Sequence, residues 1–157
     1  MATEIERKFL PANDDWRGLG SGLPYCQGYL CAGNGQTVRV RTVADAGYLT
    51  VKGMTCGIAR SEYEYQIPHT DALEMLETLC LKPLIVKIRY RIPEGGFVWE
   101  VDEFLNENAG LIVAEIELQD PEQDFFKPSW IGKEVTNDPR YRNSSLTNYP
   151  YSLWADK

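Results

Sequence analysis

A chain of 157 residues, 43% hydrophobic and 25% charged, is long enough to close one core without cross-links and too apolar to be disordered. Its net charge of −7 argues against a duplex nucleic-acid binder, which carries a basic surface, but not against a polyanion held in a locally basic interior. No apolar run is long enough for a membrane helix, and the charged start Met1-Ala-Thr-Glu-Ile-Glu-Arg-Lys8 is unlike a signal peptide, so the expected location is the cytoplasm.

Period-2 alternation dominates, and it predicts strands at 3–10, 25–32, 36–43, 47–53, 59–67, 83–92, 96–104 and 111–119. Turn residues separate several of them: Gly33-Asn34-Gly35, Asp45-Ala46-Gly47 and Pro93-Glu94-Gly95-Gly96. Between the fifth and sixth strands, Asp71-Ala-Leu-Glu74 resembles a capping box. It opens a helix with Leu73, Leu76 and Leu79 on one face and Pro83 beyond its end. After the eighth strand, Pro121-Glu-Gln-Asp124 and Asp138-Pro139 are candidate starts of short helices. No repeat or linker interrupts the chain, so residues 1–157 are expected to form a single domain. Cys26, Cys31, Cys56 and Cys80 show no C-x-x-C spacing and read as small apolar residues in a reducing compartment. The lone His69 has no partner pattern for a triad or a zinc site.

Strand residues i, i+2 and i+4 share a face, and here one face is almost purely ionisable. Glu4, Glu6 and Lys8 oppose Ile5 and Phe9. Arg39 and Arg41 oppose Val38 and Val40, and Thr50 and Lys52 oppose Leu49 and Val51. Arg60, Glu62 and Glu64 oppose Tyr63 and Tyr65, while Lys87, Arg89 and Arg91 oppose Val86, Ile88 and Tyr90. Glu100 and Asp102 oppose Trp99 and Val101, and Glu115 and Glu117 oppose Ile116 and Leu118. Eight carboxylates therefore meet eight cations, a set that could balance itself if enclosed. Periodicity alone leaves two barrels open. One has an apolar interior. The other has a charged lumen, its apolar outer face covered by the Leu73 to Leu79 helix and by Trp130, Leu146, Tyr149 and Trp154.

The run Glu4-Ile5-Glu6-Arg7-Lys8 resembles the N-terminal E-x-E-x-K signature of the CYTH superfamily, the triphosphate tunnel metalloenzymes. In order after it come Arg39-Val-Arg41, Leu49-Thr-Val-Lys52, Arg60-Ser-Glu62-Tyr-Glu64, Lys87-Ile-Arg89, Glu100-Val-Asp102 and Glu115-Ile-Glu117, each similar to a tunnel strand of that family. The closing Asp138-Pro-Arg140-Tyr141-Arg-Asn143 is similar to its short bacterial members. The resemblance implies a closed eight-stranded antiparallel β-barrel with a charged lumen and a few covering helices. It also implies metal-dependent hydrolysis of inorganic tripolyphosphate to pyrophosphate and phosphate. Other activities of the family remain as alternatives: a class IV adenylate cyclase, a thiamine or nucleoside triphosphatase, or a polyphosphate-binding module without catalysis.

On that reading Lys8, Arg39, Arg41, Lys52, Arg60, Lys87 and Arg89 bind the phosphates, since arginine offers forked donors and lysine a compact charge. Phosphate needs no carboxylates, so Glu4, Glu6, Glu115 and Glu117 are expected to ligate Mg²⁺ or Mn²⁺. Glu62, Glu64, Glu100 and Asp102 would hold the cations in place or add ligands to the metal. The resemblance further suggests Tyr29 as proton acceptor beside a lysine such as Lys87. The expected partner is inorganic triphosphate or another small triphosphate, with no duplex nucleic acid and no membrane. A homodimer stays open.

Overall fold

In the computed structural model, which describes residues 2–157, the alternating segments form β1 (Thr3–Pro11), β2 (Ser21–Gly33), β3 (Gln36–Val43), β4 (Ala46–Lys52) and β5 (Ala59–Ile67). Helix α1 (His69–Thr78) follows, then β6 (Ile85–Glu94), β7 (Phe97–Phe104), β8 (Ile112–Glu117), a short β9 (Ile131–Glu134) and a short helix α2 (Asn143–Asn148). Neighbouring strands run β5-β4-β3-β2-β6-β7-β8-β1, all antiparallel. Pairing of β1 with β5 (Thr3↔Ser61, Glu4↔Arg60, Ile5↔Ala59) closes the ring. The result is a closed eight-stranded antiparallel barrel with one extra strand, and closure leaves no long edge free. The seam is short, and β9 continues it by pairing with the later half of β1 (Phe9↔Glu134, Pro11↔Ile131). The β2–β3 turn places Asn34 and Gly35 at φ 53° and 78°, as the Asn-Gly dipeptide predicts.

Two of the three hydrophobic clusters lie outside the barrel. Phe9, Ile92, Trp99, Val101, Ala114 and Ile116 point outward from their strands and are buried beneath Trp16, Trp130 and Phe125. Edge-to-face contacts of Trp99 with Phe9, Phe125 and Trp130, at 5.6 to 5.9 Å, bind these covers to the wall. A second cluster, Val40 with Ala72, Leu76 and Cys80, fixes α1 to the outer face of β3 and β4. The charged-lumen alternative is the one adopted. Among the described residues no helix is long and apolar enough to cross a membrane.

Several expectations need correction. Helix α1 starts at His69 rather than Asp71, with Pro68 at its N-cap and no side-chain cap. Asp71 falls in the first turn, where its charge still suits the helix dipole. Its buried face is Ala72 and Leu76, whereas Leu73 and Leu79 are 48% and 63% exposed. Pro121–Asp124 forms turns, not a helix. Asp138-Pro139 does open a 3₁₀ turn, with the Arg140 backbone N–H donating to the Asp138 carboxylate. Trp130 covers the outer wall as expected, but Leu146 and Trp154 do not. They pack on Ile85, Phe104 and Val113, which share the lumen face of their strands with Lys87, Asp102 and Glu115. Tyr149 remains 42% exposed. The C-terminal segment thus plugs one end of the lumen.

Candidate active site

Seven of the eight barrel strands send a charged face inward, β2 contributes Tyr25 and Tyr29, and the resulting cavity has a volume of about 360 Å³. It is lined by Glu4, Glu6, Lys8, Tyr29, Arg39, Arg41, Lys52, Arg60, Glu62, Glu64, Lys87, Arg89, Glu100, Glu115 and Glu117. Strand order sorts the charges into two arcs. Going β4, β3, β2, β6, the inward charges are Lys52, Arg39, Arg41, Lys87, Arg89 and Arg91, all basic. Going β7, β8, β1, β5, they are Glu100, Asp102, Glu115, Glu117, Glu4, Glu6, Glu62 and Glu64, interrupted by Lys8 and Arg60.

Cations and carboxylates pair mostly where the two arcs meet, between neighbouring strands of the wall. Lys52 Nζ lies 2.8 Å from Glu4 and 3.2 Å from Glu62, and Lys8 Nζ lies 3.5 Å from Glu115. Glu64 serves both Arg39 (3.4 Å) and Arg41 (3.3 Å), and also accepts a hydrogen bond from the buried Thr50 hydroxyl. Arg89 forks onto Asp102 at 2.7 and 2.8 Å and reaches Glu100 and Glu115 at 3.4 and 3.5 Å. Lys87 donates to Asp102 at 2.8 Å. Arg60 is placed differently. Its guanidinium donates to the Gly53 and Gly35 carbonyls, where it pins two loops.

Burial works against the charge of Lys8 and of Lys52, but Glu115 beside the first and Glu4 beside the second outweigh it and hold both above the ordinary lysine value. The carboxylates are less settled. Desolvation, then the charge of Glu115, pushes Glu6 up to about 7. Glu4 is raised by burial and by Glu62, and Glu117 by burial and by Glu4. Among the described residues no three carboxylate, histidine or cysteine groups form a ready-made cage. Even so, Glu4, Glu6, Glu115 and Glu117 sit on adjacent strands, with Glu6 opposite Glu117 and Glu115 opposite Lys8. Lys8 and Arg89 hold Glu115 below the usual carboxylate range, whereas Glu4, Glu6 and Glu117 stay raised, and an all-oxygen donor set with that remaining strain fits a hard divalent cation.

Tyr29 is buried in the wall, paired with Arg39 on β3. Its anticipated neighbour Lys87 is engaged with Asp102 and with the Asn143 side-chain oxygen at 3.0 Å, and Tyr29 lines the cavity together with Lys8 and Lys87. Asn143 also accepts from Gln27 at 3.0 Å, and Lys8 Nζ donates to the Tyr141 carbonyl, so the plug reaches two lysines of the site. The lumen further holds Tyr25, Thr37 and Asn143, which sequence reasoning gave no role. The inward parity of Tyr25 and Thr37 was the signal available for them. Asn143 carried none, because its contact with Lys87 spans 56 residues.

Residues 2–150 match the CYTH domain family. An inorganic triphosphatase of Acetivibrio thermocellus is 55% identical over 156 residues, covering 99% of this chain and 100% of that protein. An inorganic triphosphatase of Nitrosomonas europaea is 37% identical over 149 residues, covering 92% and 96%. The crystal structure of an inorganic triphosphatase superposes with a TM-score of 0.67 at 34% identity, covering 94% of this chain and 95% of the other.

Proposed function

The chain belongs to the CYTH domain family, and we propose that it is an inorganic triphosphatase that hydrolyses tripolyphosphate to pyrophosphate and phosphate in its lumen. The observation that carries this reading is the division of one enclosed cavity into a basic arc and an acidic arc. A linear polyanion needs cations along its length, and its cleavage needs charge neutralised on both sides of the broken bond.

Lys8, Arg39, Arg41, Lys52, Lys87 and Arg89 take the phosphate oxygens. The Nε atoms of Arg39 and Arg41 are buried without hydrogen-bond partners, donors held in reserve for an anion. Arg60 shapes the loops at the cavity rather than gripping substrate. Glu4, Glu6, Glu115 and Glu117 would hold Mg²⁺ or Mn²⁺. Such an ion supplies further neutralisation of phosphate oxygens and lowers the pKa of a bound water. Glu62 orients Lys52, Glu64 orients Arg39 and Arg41, and Glu100 and Asp102 orient Arg89. Water attacks the terminal phosphorus, the bridging P–O bond breaks, and pyrophosphate departs into the basic arc. Tyr29 is the proton acceptor in this scheme, in the same cavity as Lys8 and Lys87, with Lys87 oriented by Asp102.

Purified protein given tripolyphosphate and Mg²⁺ or Mn²⁺ should release phosphate, and a chelator should stop it. Glu4→Gln and Lys52→Ala should each lower turnover by at least about a hundredfold while circular dichroism stays that of the wild type. No phosphate release with either metal would overturn the assignment, as would cyclic AMP from ATP as the main product.

A further inference from the structure

Two aromatic side chains on the lumen faces of their strands, Tyr25 and Tyr48, have no part in the chemistry above. They fall in a row with two arginines. Four consecutive strands, β4, β3, β2 and β6, contribute Tyr48, Arg41, Tyr25 and Arg89. The Arg41 guanidinium carbon lies 5.9 Å from the ring centroid of Tyr48 and 5.1 Å from that of Tyr25. The Arg89 guanidinium carbon lies 5.3 Å from that same Tyr25 ring. One ring therefore contacts two like-charged groups that arrive from the strands on either side of it.

The two arginines are not equally secured by hydrogen bonds. Arg89 is forked onto Asp102 and also reaches Glu100 and Glu115. Arg41 has one carboxylate, Glu64 at 3.3 Å, which it shares with Arg39 and whose side chain is 35% exposed. The Arg41 Nε is buried and unpartnered, and burial together with the charges of Arg39 and Arg89 disfavours its cationic form. A guanidinium so placed would swing away from its neighbours if nothing else attracted it. An aromatic face does attract it, without competing for the anion as a carboxylate would. Strand β2 has the composition this task requires, since its inward residues Tyr25, Gln27 and Tyr29 carry no carboxylate or ammonium.

We propose that Tyr25 is a positioning residue that holds Arg41 and Arg89 as a preformed pair of phosphate-binding guanidiniums, with Tyr48 backing Arg41 from the other side. The inference rests on the reading of the lumen as a triphosphate site. Its consequence is preorganisation: the arginines lose less rotamer freedom when the anion arrives, and their repulsion is already offset. The ring acts on binding, so its loss should appear in KM rather than kcat.

Tyr25→Leu should raise the KM for tripolyphosphate about tenfold with kcat within about twofold, and Tyr25→Phe, which keeps the ring, should restore it. Tyr48→Leu should give a smaller rise in the same direction. Tyr25→Thr serves as the ring-less variant if Tyr25→Leu does not fold. The ¹⁵N relaxation of the Arg41 Nε–H in ligand-free protein supplies a readout that needs no turnover. Its order parameter should fall in the ring-less variant and stay high in Tyr25→Phe. An unchanged KM or an unchanged order parameter without the ring overturns the inference, as does Tyr25→Phe behaving like Tyr25→Leu. Because the relaxation is measured without substrate, a wild type that releases no phosphate sinks the proposed function and leaves the ring–arginine arrangement to be judged separately.

Discussion

Asp102 is wholly buried and accepts hydrogen bonds from Lys87 and, through a fork, from Arg89. Burial opposes its charge, yet those two cations outweigh it and hold the carboxyl well below the usual range. One carboxylate cannot compensate two buried cations equally. Arg89 also draws on Glu115 and Glu100, whereas burial and the charge of Arg89 bring Lys87 down to about 7. Between about 7 and the ordinary lysine value of 10.5 the unfolded chain keeps the Lys87 proton that the folded protein has released. Stability then rises with pH across that window, and the full penalty is present below it. Lys87→Met removes the titration. The thermal stability of the wild type should therefore gain on that of Lys87→Met as pH is raised from about 7 to about 10. A gap that stays constant would mean Lys87 keeps its proton in the folded state. At this scale the sequence was informative wherever parity decided the matter: every inward charge on a barrel strand was readable from alternation, whereas Arg142, which lines the cavity from the C-terminal segment, was not. It was silent on partners, because Asp102 with Lys87 and Glu64 with Arg41 are choices among several carboxylates on neighbouring strands.

The elements show a different limit. Alternation located the eight barrel strands, while β9 escaped because Ile131-Gly-Lys-Glu134 has no clear period and pairs only across the seam. Helix α1 was misphased for a related reason. A leucine spacing of three suggested one face, but the wall it packs on selects another. Gly47, at the start of β4, is what allows the approach: a Cβ there would sit 2.7 Å from the Cβ of Ala72, with the Ile67 and Pro68 carbonyls at 3.2 and 3.3 Å. None of these atoms ends a flexible side chain, so the helix would have to lift. Gly47→Ala should cost about 1–3 kcal/mol in urea unfolding. Gly33→Ala, where a Cβ meets nothing within 4 Å, should be close to neutral. Equal stability of the two variants would show that α1 docks more loosely than its contacts indicate.

For the whole molecule, the net charge of −7 misleads unless the inside is separated from the outside. Among the described residues nine cations line the cavity: Lys8, Arg39, Arg41, Lys52, Arg60, Lys87, Arg89, Arg91 and Arg142. Seven carboxylates line it and Asp102 lies behind them, so the lumen is close to neutral and the acidity belongs to the outer surface. A near-neutral lumen cannot by itself compensate a tripolyphosphate. The anion must also compete with Glu4, Glu62, Glu64 and Asp102 for the cations they already hold. A divalent ion on Glu4, Glu6, Glu115 and Glu117 would change this balance twice, by adding positive charge and by drawing Glu4 away from Lys52 and Glu115 away from Lys8. Binding of anion and metal should therefore be strongly cooperative. In thermal melts at neutral pH, tripolyphosphate with Mg²⁺ or Mn²⁺ should raise Tm well beyond the sum of either alone. At a hundredfold excess over Kd the stabilisation is about 2.7 kcal/mol, or roughly 5–10 °C for a chain of this size. Chelator should remove nearly all of it. If tripolyphosphate with chelator gives the full shift, the acidic arc serves only to pair with the basic one, and the metal has no seat in it.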